Sequence, residues 1–157
     1  MNMEPKIENR PEQPYLAIRT KVQMAEIPTK LPPLIPEIYE WLETHKIQPA
    51  GPVFFNYLDM DNGIMTAEVG VPVEVLHAGD ARVSAGTFPA GRYAVYTHMG
   101  NYTQIPEAHM ALGTWARQNN IQLLNPCIEF YPTDPAIKPD PAHWQTDIVR
   151  RLPAEKN

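Results

Sequence analysis

Two stretches of this chain carry one pattern. Residues 31–57 read LPPLIPEIYEWLETHKIQPAGPVFFNY, and residues 105–131 read IPEAHMALGTWARQNNIQLLNPCIEFY. Trp41 precedes Trp115 by 74 positions, and the same offset relates Pro32 to Pro106, Ile47 to Ile121, Gln48 to Gln122, Pro52 to Pro126 and Tyr57 to Tyr131. A period of this length marks a supersecondary unit used twice, which narrows the folds open to the chain more than any local motif does.

The two segments share a grammar. A β-rich run comes first, YLAIRTKV from Tyr15 and RYAVYTHMG from Arg92. A short candidate strand precedes each across a proline turn: KIENR before Pro11-Glu12-Gln13-Pro14, and RVSAGTF before Pro89-Ala90-Gly91. Helices follow. Leu31, Leu34, Ile38, Leu42 and His45 fall at helical spacing in the first half, and Ile105, Ala108, Leu112, Trp115 and Ala116 in the second. Pro36 and Pro106 stand near the helix starts, where a missing N–H costs little. Two more strands close each unit. PVFFNYLDM turns at Asp61-Asn62-Gly63 into IMTAEVGVPVEV, and PCIEFYPTD reaches WQTDIVRRL through the longer PAIKPDPAH.

Each half therefore reads as a strand pair, a helix and a strand pair. The expected fold is α+β: duplicated βαββ modules forming a curved, mainly antiparallel sheet, with two helices on one face and a central groove. Residues 1–157 would form one domain of two pseudo-symmetric halves, about 5–78 and 79–153.

The places where a duplication is broken carry information about function. Glu129 stands where the first half has Phe55. By strand alternation Cys127, Glu129 and Tyr131 share one face, and Ile128 and Phe130 the other. A carboxylate among apolar neighbours needs a proton, a hydrogen bond or a cation. Phe55, Tyr57 and Tyr131, with Tyr93 or Tyr96 and Trp144 on neighbouring strands, could supply aromatic walls, and aromatic faces attract cations by roughly 0.5–2 kcal/mol each. The competing reading leaves Glu129 on a solvated face. Glu68, on the last strand of the first half, matches Asp147 in the second and reads as an ordinary acidic position.

Other chemistry finds little support. The 18 acidic against 13 basic side chains leave a net charge of −5 with no basic run, so a nucleic-acid surface is not expected and charged ligands would be cations. Cys127 is the single cysteine, with no histidine close to it in sequence. The five histidines lack metal-ligand spacing. Ser84 lies in no nucleophile elbow, and no glycine-rich loop offers to cradle phosphate, so no cofactor is expected. MNMEPKIENRPEQ has no apolar leader, and no run reaches the ~20 residues that span a bilayer. The expectation is a cytoplasmic protein without a membrane partner.

The segments GPVFFNYLDMDNG, AEVGVPV, PAGRYAVYTHMGNY, WARQNN, IEFYPTDP and WQTDIVRRL, in this order over about residues 6–152, resemble the GyrI-like small-molecule-binding domain. That domain is akin to the effector-binding domains of AraC-type and MerR-type regulators. The resemblance implies a duplicated βαββ fold with a ligand cleft. A glutamate two residues before a tyrosine, ahead of an Asp-Pro turn, lies at its base; Glu129, Tyr131, Asp134 and Pro135 match it. His98, Gly100 and Tyr102 match the family's His-x-Gly-x-Tyr segment, Gly100 permitting a left-handed backbone. The resemblance implies a stand-alone binder of hydrophobic small molecules, cationic ones included, multidrug binding among its associations. Glu129, Tyr131, Phe55, Tyr57, Tyr96 and Trp144 are its candidate ligand-binding residues. Two alternatives stay open: a hydrolase of electrophilic small molecules with Glu129 as acid or base and Tyr131 or Trp144 assisting, and a gyrase-inhibitor-like module with a protein partner. The 134–144 connection is either a surface loop or a flap that brings Trp144 to the ligand.

Overall fold

The structure, a computed structural model, describes residues 4–155. In chain order its elements are β1 (Lys6–Arg10), β2 (Gln13–Gln23), α1 (Ile27–Lys30), α2 (Leu34–Thr44), β3 (Phe54–Asp61), β4 (Ile64–Pro72), β5 (Ser84–Phe88), β6 (Gly91–Met99), α3 (Ile105–Gln118), β7 (Leu124–Phe130) and β8 (Gln145–Arg151). Short 3-10 turns precede α1 and α3 and cover Pro141–His143. The class is α+β, as the sequence implied.

The chain divides into two compact units. One runs from Glu12 to Pro89, and the other joins the segment ending at Pro11 to that beginning at Ala90. β2 and β5 thus fall in the first of these units, and β1 and β6 in the second. The reason lies in two proline links. β1 ends at Arg10 and β2 begins at Gln13; β5 ends at Phe88 and β6 begins at Gly91. A two-residue hairpin link needs positive φ at its first position. Pro11 and Pro89 occupy those positions, and the proline ring fixes φ near −65°. The expected β1–β2 and β5–β6 hairpins therefore do not form. β1 pairs antiparallel with β6, Ile7 opposite Ala94, and β5 pairs antiparallel with β2, Leu16 opposite Ala85. The Asn62-Gly63 link, with φ of 50° and 81°, does make the hairpin between β3 and β4.

In the Glu12–Pro89 unit the strands run β3-β4-β2-β5, all antiparallel. Leu16 and Ile18 face the same side as their partners Val71 and Val69, all fully buried. Tyr15 lies on the opposite side, meeting Phe54 edge-on at 5.2 Å and stacking on Phe88 at 4.4 Å. α2 packs against β2 and β4 with Ile38 and Leu42 buried.

In the other unit the order is β1-β6-β8-β7, again antiparallel. Ala94 and Tyr96 of β6, Ile148 of β8, and Ala108 and Leu112 of α3 form its core with Leu152, and Trp115 and Ile121 pack on the edge.

The recurring Ile-Gln after each helix has a local cause. Lys46 and Asn120 adopt φ of 57° and 56°, and the following Ile47 and Ile121 N–H groups bond back to Leu42 and Ala116 at 2.9 and 2.8 Å. This is a left-handed helix stop in which an apolar residue folds back on the last turn. No helix of the described residues is long and apolar enough to cross a membrane.

Candidate functional site: a buried carboxylate among aromatic side chains

Glu129 lies near the end of β7, opposite Ile148 of β8. Since Ile148 belongs to the core beneath α3, Glu129 points to the α3 side of the sheet, and only 5 % of it is exposed. A carboxylate so placed must be satisfied by the protein, and it is. His109 Nε2 meets Oε2 at 2.6 Å, and the Tyr131 hydroxyl donates a short hydrogen bond to Oε1. Tyr131 stands two residues on, so strand alternation returns it to the same side as Glu129.

His109 had no part in the sequence reading. Its signal was nonetheless present: it lies four residues after Ile105 and three before Leu112, on the buried stripe of α3. Burial alone would lower its pKa. The hydrogen bonds to Cys127 and Glu129, with the Glu129 charge, outweigh that and raise it to about 9. At neutral pH His109 is therefore held as an imidazolium beside Glu129. Cys127, read as having no histidine near in sequence, has one in space, brought by the fold from α3.

The aromatic side of the site is built from the segment that joins β6 to α3. Gly100, with φ of 139°, donates its N–H to the Trp144 carbonyl at 2.8 Å. The Asn101 side chain accepts from Thr103 N–H, and His98 Nε2 bonds the Asn101 carbonyl at 3.2 Å. These bonds fix Tyr102 at the first turn. Its ring stacks on Trp144 at 4.7 Å and meets Tyr131 edge-on at 5.7 Å. Burial, then the Asp134 charge, raises the Tyr102 pKa, so it remains a neutral phenol.

The proline-rich connection is pinned at several points. Asp134 accepts from Ala136 N–H, Asp140 from Ala142 N–H, and Trp144 Nε1 donates to the Lys138 carbonyl at 2.7 Å. Trp144, Tyr102, Tyr131, Glu129 and His109 thus form one continuous chain of contacts.

The remaining candidates stand on other strands. Tyr96 is a core residue beneath α3, 8 % exposed. Phe55 and Tyr57 stand on β3 in the Glu12–Pro89 unit, opposite Val69 and Ala67. Glu68, read as ordinary, is 1 % exposed. It accepts from Tyr15 Oη at 2.7 Å and Asn56 Nδ2 at 3.1 Å, and pairs with Arg19 at 3.1 Å. Its counterpart Asp147 is half-buried and bonded by Thr97 and Gln145. Periodicity could not reveal that Tyr15 reaches across to Glu68 on the neighbouring strand β4. A separate cavity of about 310 Å³ beside α3 is lined by Tyr96, His98, Gln104 and Glu107 among others, and includes neither Glu129 nor His109. Among the described residues no group of three acidic, histidine or cysteine side chains could hold a metal ion.

No curated protein sequence matches the chain. The C-terminal domain of EcmrR superposes with a TM-score of 0.79 at 22 % identity, over 97 % of this chain and 98 % of that one. Against the longer EcmrR chain in a DNA complex the TM-score is 0.80 at 19 % identity, and 97 % of this chain spans 58 % of that one. SAV2435 bound to tetraphenylphosphonium gives 0.70 at 12 % identity, over 96 % and 94 %. A hydrolase from Listeria innocua gives 0.57 at 12 % identity, over 96 % and 92 %. At these identities the likeness is one of fold. The model of the GyrI-like small molecule binding domain matches residues 3–152, nearly the whole chain. This protein belongs to the GyrI-like small-molecule-binding domain family.

Proposed function

We propose that the protein binds hydrophobic small molecules, lipophilic cations among them, with Glu129 as the charged contact and Tyr131, Tyr102 and Trp144 as the aromatic wall. The observation that carries this reading is a carboxylate 5 % exposed at the end of an unbroken file of aromatic rings. Charge in a low-dielectric setting acts far more strongly than in water, and stacked rings add cation–π attraction while offering apolar area. SAV2435, which shares the fold, carries tetraphenylphosphonium in its structure, and that ion is the natural first probe. Phe55, Tyr57 and Tyr96 are not needed to state the site.

The chain is read here as a duplicated βαββ module in which one copy gained a carboxylate where the other keeps Phe55. Two features support this: the shared 74-residue offset of the residues that stop both helices, Lys46 with Asn120 and Ile47 with Ile121, and that of Trp41 with Trp115. The test of function is titration with tetraphenylphosphonium. Saturable binding by the wild type with loss in Glu129→Gln supports the reading, and absence of binding overturns it.

A second reading is favoured by one observation, the imidazole and phenol that both reach Glu129. A carboxylate with a proton donor on each oxygen is acid–base machinery as well as a charge sensor, and a hydrolase from Listeria innocua shares the fold. Catalytic consumption of an epoxide or other strained electrophile, silenced in Glu129→Gln, would favour this reading over simple binding.

A further inference from the structure

Glu129 does not wait for a cation; it already has one. His109 Nε2 lies 2.6 Å from Oε2, on a side chain 29 % exposed against a carboxylate 6 % exposed. We propose that His109 is the internal counter-ion of Glu129, so that a cationic ligand binds by displacing the imidazolium and its binding releases a proton to solvent. The inference rests on the binding function proposed above and adds what governs it.

The surroundings of His109 within its unit are simple. From β7 it faces the Glu129 carboxylate and the Cys127 thiol, and the Tyr131 hydroxyl approaches the same carboxylate from its other oxygen. On α3 the residues three and four positions away are Ile105, Pro106, Leu112 and Gly113, none of which titrates. On β8, Arg150 lies opposite Cys127, but its guanidinium is turned to the Leu123 and Leu124 carbonyls at 3.3 and 3.2 Å. The imidazolium is therefore held by two neighbours on β7, the Cys127 side chain and the Glu129 carboxylate.

A permanent cation beside Glu129 cannot share the carboxylate with an imidazolium without like-charge repulsion in a buried setting. Displaced towards water, the imidazole returns to an ordinary pKa and loses its proton over the range in which the empty site keeps it. A neutral ligand of the same shape leaves the pair intact. His109 thus balances the Glu129 charge in the free protein and sets a threshold that only a ligand of sufficient charge and apolar area overcomes.

The experiment is isothermal titration calorimetry with tetraphenylphosphonium, whose charge does not titrate, from pH 7 to pH 9.5 in buffers of differing ionisation enthalpy. The wild type should tighten roughly 40-fold between pH 7 and pH 9 and then level off, releasing about three-quarters of a proton at pH 7. His109→Gln should bind more tightly than wild type at pH 7, with no slope and no proton release. If that variant folds poorly, the His109 ring resonances of the wild type give the same answer. Their inflection should lie near pH 9 in the free protein and move towards 6.5 with the probe bound. Probe binding with an affinity flat in pH overturns the inference and leaves the binding function standing. Loss of binding in a folded His109→Gln also overturns it, since His109 would then support the ligand. No binding at any pH by either protein overturns the binding function itself.

Discussion

Buried polar side chains set the character of this protein residue by residue, and they differ in how well they are satisfied. Glu129, Glu68 and His109 each have partners at hydrogen-bond distance. Thr146 Oγ1 and His98 Nδ1, cross-strand neighbours in the same sheet, have none. A buried hydroxyl without a partner costs roughly 1–3 kcal/mol of desolvation, and valine has nearly its shape. Thr146→Val is therefore expected to raise stability by about 1 kcal/mol, read as a shift in the urea midpoint. Tyr15→Phe is expected to lower it by about 1–2 kcal/mol, because it strips a donor from the buried Glu68 carboxylate. His109 adds a pH dependence. Its pKa is raised from 6.5 to about 9 in the folded protein, so the fold favours the protonated imidazole. The resulting stability is whole below pH 6.5 and is lost as pH rises through about 9. With the partial exposure of the ring taken into account, the loss should be about 2 kcal/mol in the wild type and absent in His109→Gln.

Elements in this chain are ended and linked by a few backbone choices, and these explain what could be read beforehand. The Asn62-Gly63 hairpin and the apolar stripe of α3 follow from local chemistry and stand where the sequence put them. The proline links did not give up their meaning so readily. Pro11 and Pro89 looked like hairpin turns, yet each forbids the positive φ that a two-residue hairpin needs, so β1 and β5 pair with β6 and β2 instead. Glu129 was legible because it breaks a repeat, and Tyr131 and Trp144 because they belong to a known pattern. His109 was missed because its partner lies 20 residues away on another element, and only the packing of α3 on β7 joins them. The helix stops offer a direct check. Lys46 carries a left-handed conformation that costs a side-chain-bearing residue energy, whereas Asn120 tolerates it better. Lys46→Gly should gain about 1 kcal/mol and Asn120→Gly clearly less, measured by thermal unfolding.

For the whole molecule, family membership and a buried carboxylate at the end of an aromatic file support one proposal, that the chain recognises apolar cations through Glu129. The net charge of −5 is consistent with cationic ligands but selects none of them. Selection depends on the few side chains around Glu129, so the decisive comparison changes one atom and keeps the shape. Tetraphenylphosphonium and the neutral triphenylphosphine oxide would be titrated against wild type and Glu129→Gln at pH 8, following tryptophan fluorescence with Trp144→Phe as the control for a signal from the site. The expected result is that Glu129→Gln weakens the cation by roughly 30-fold or more and the neutral compound by less than about threefold, since truncating a buried charge contact costs about 2–5 kcal/mol. Equal affinity of both proteins for the cation would contradict the account.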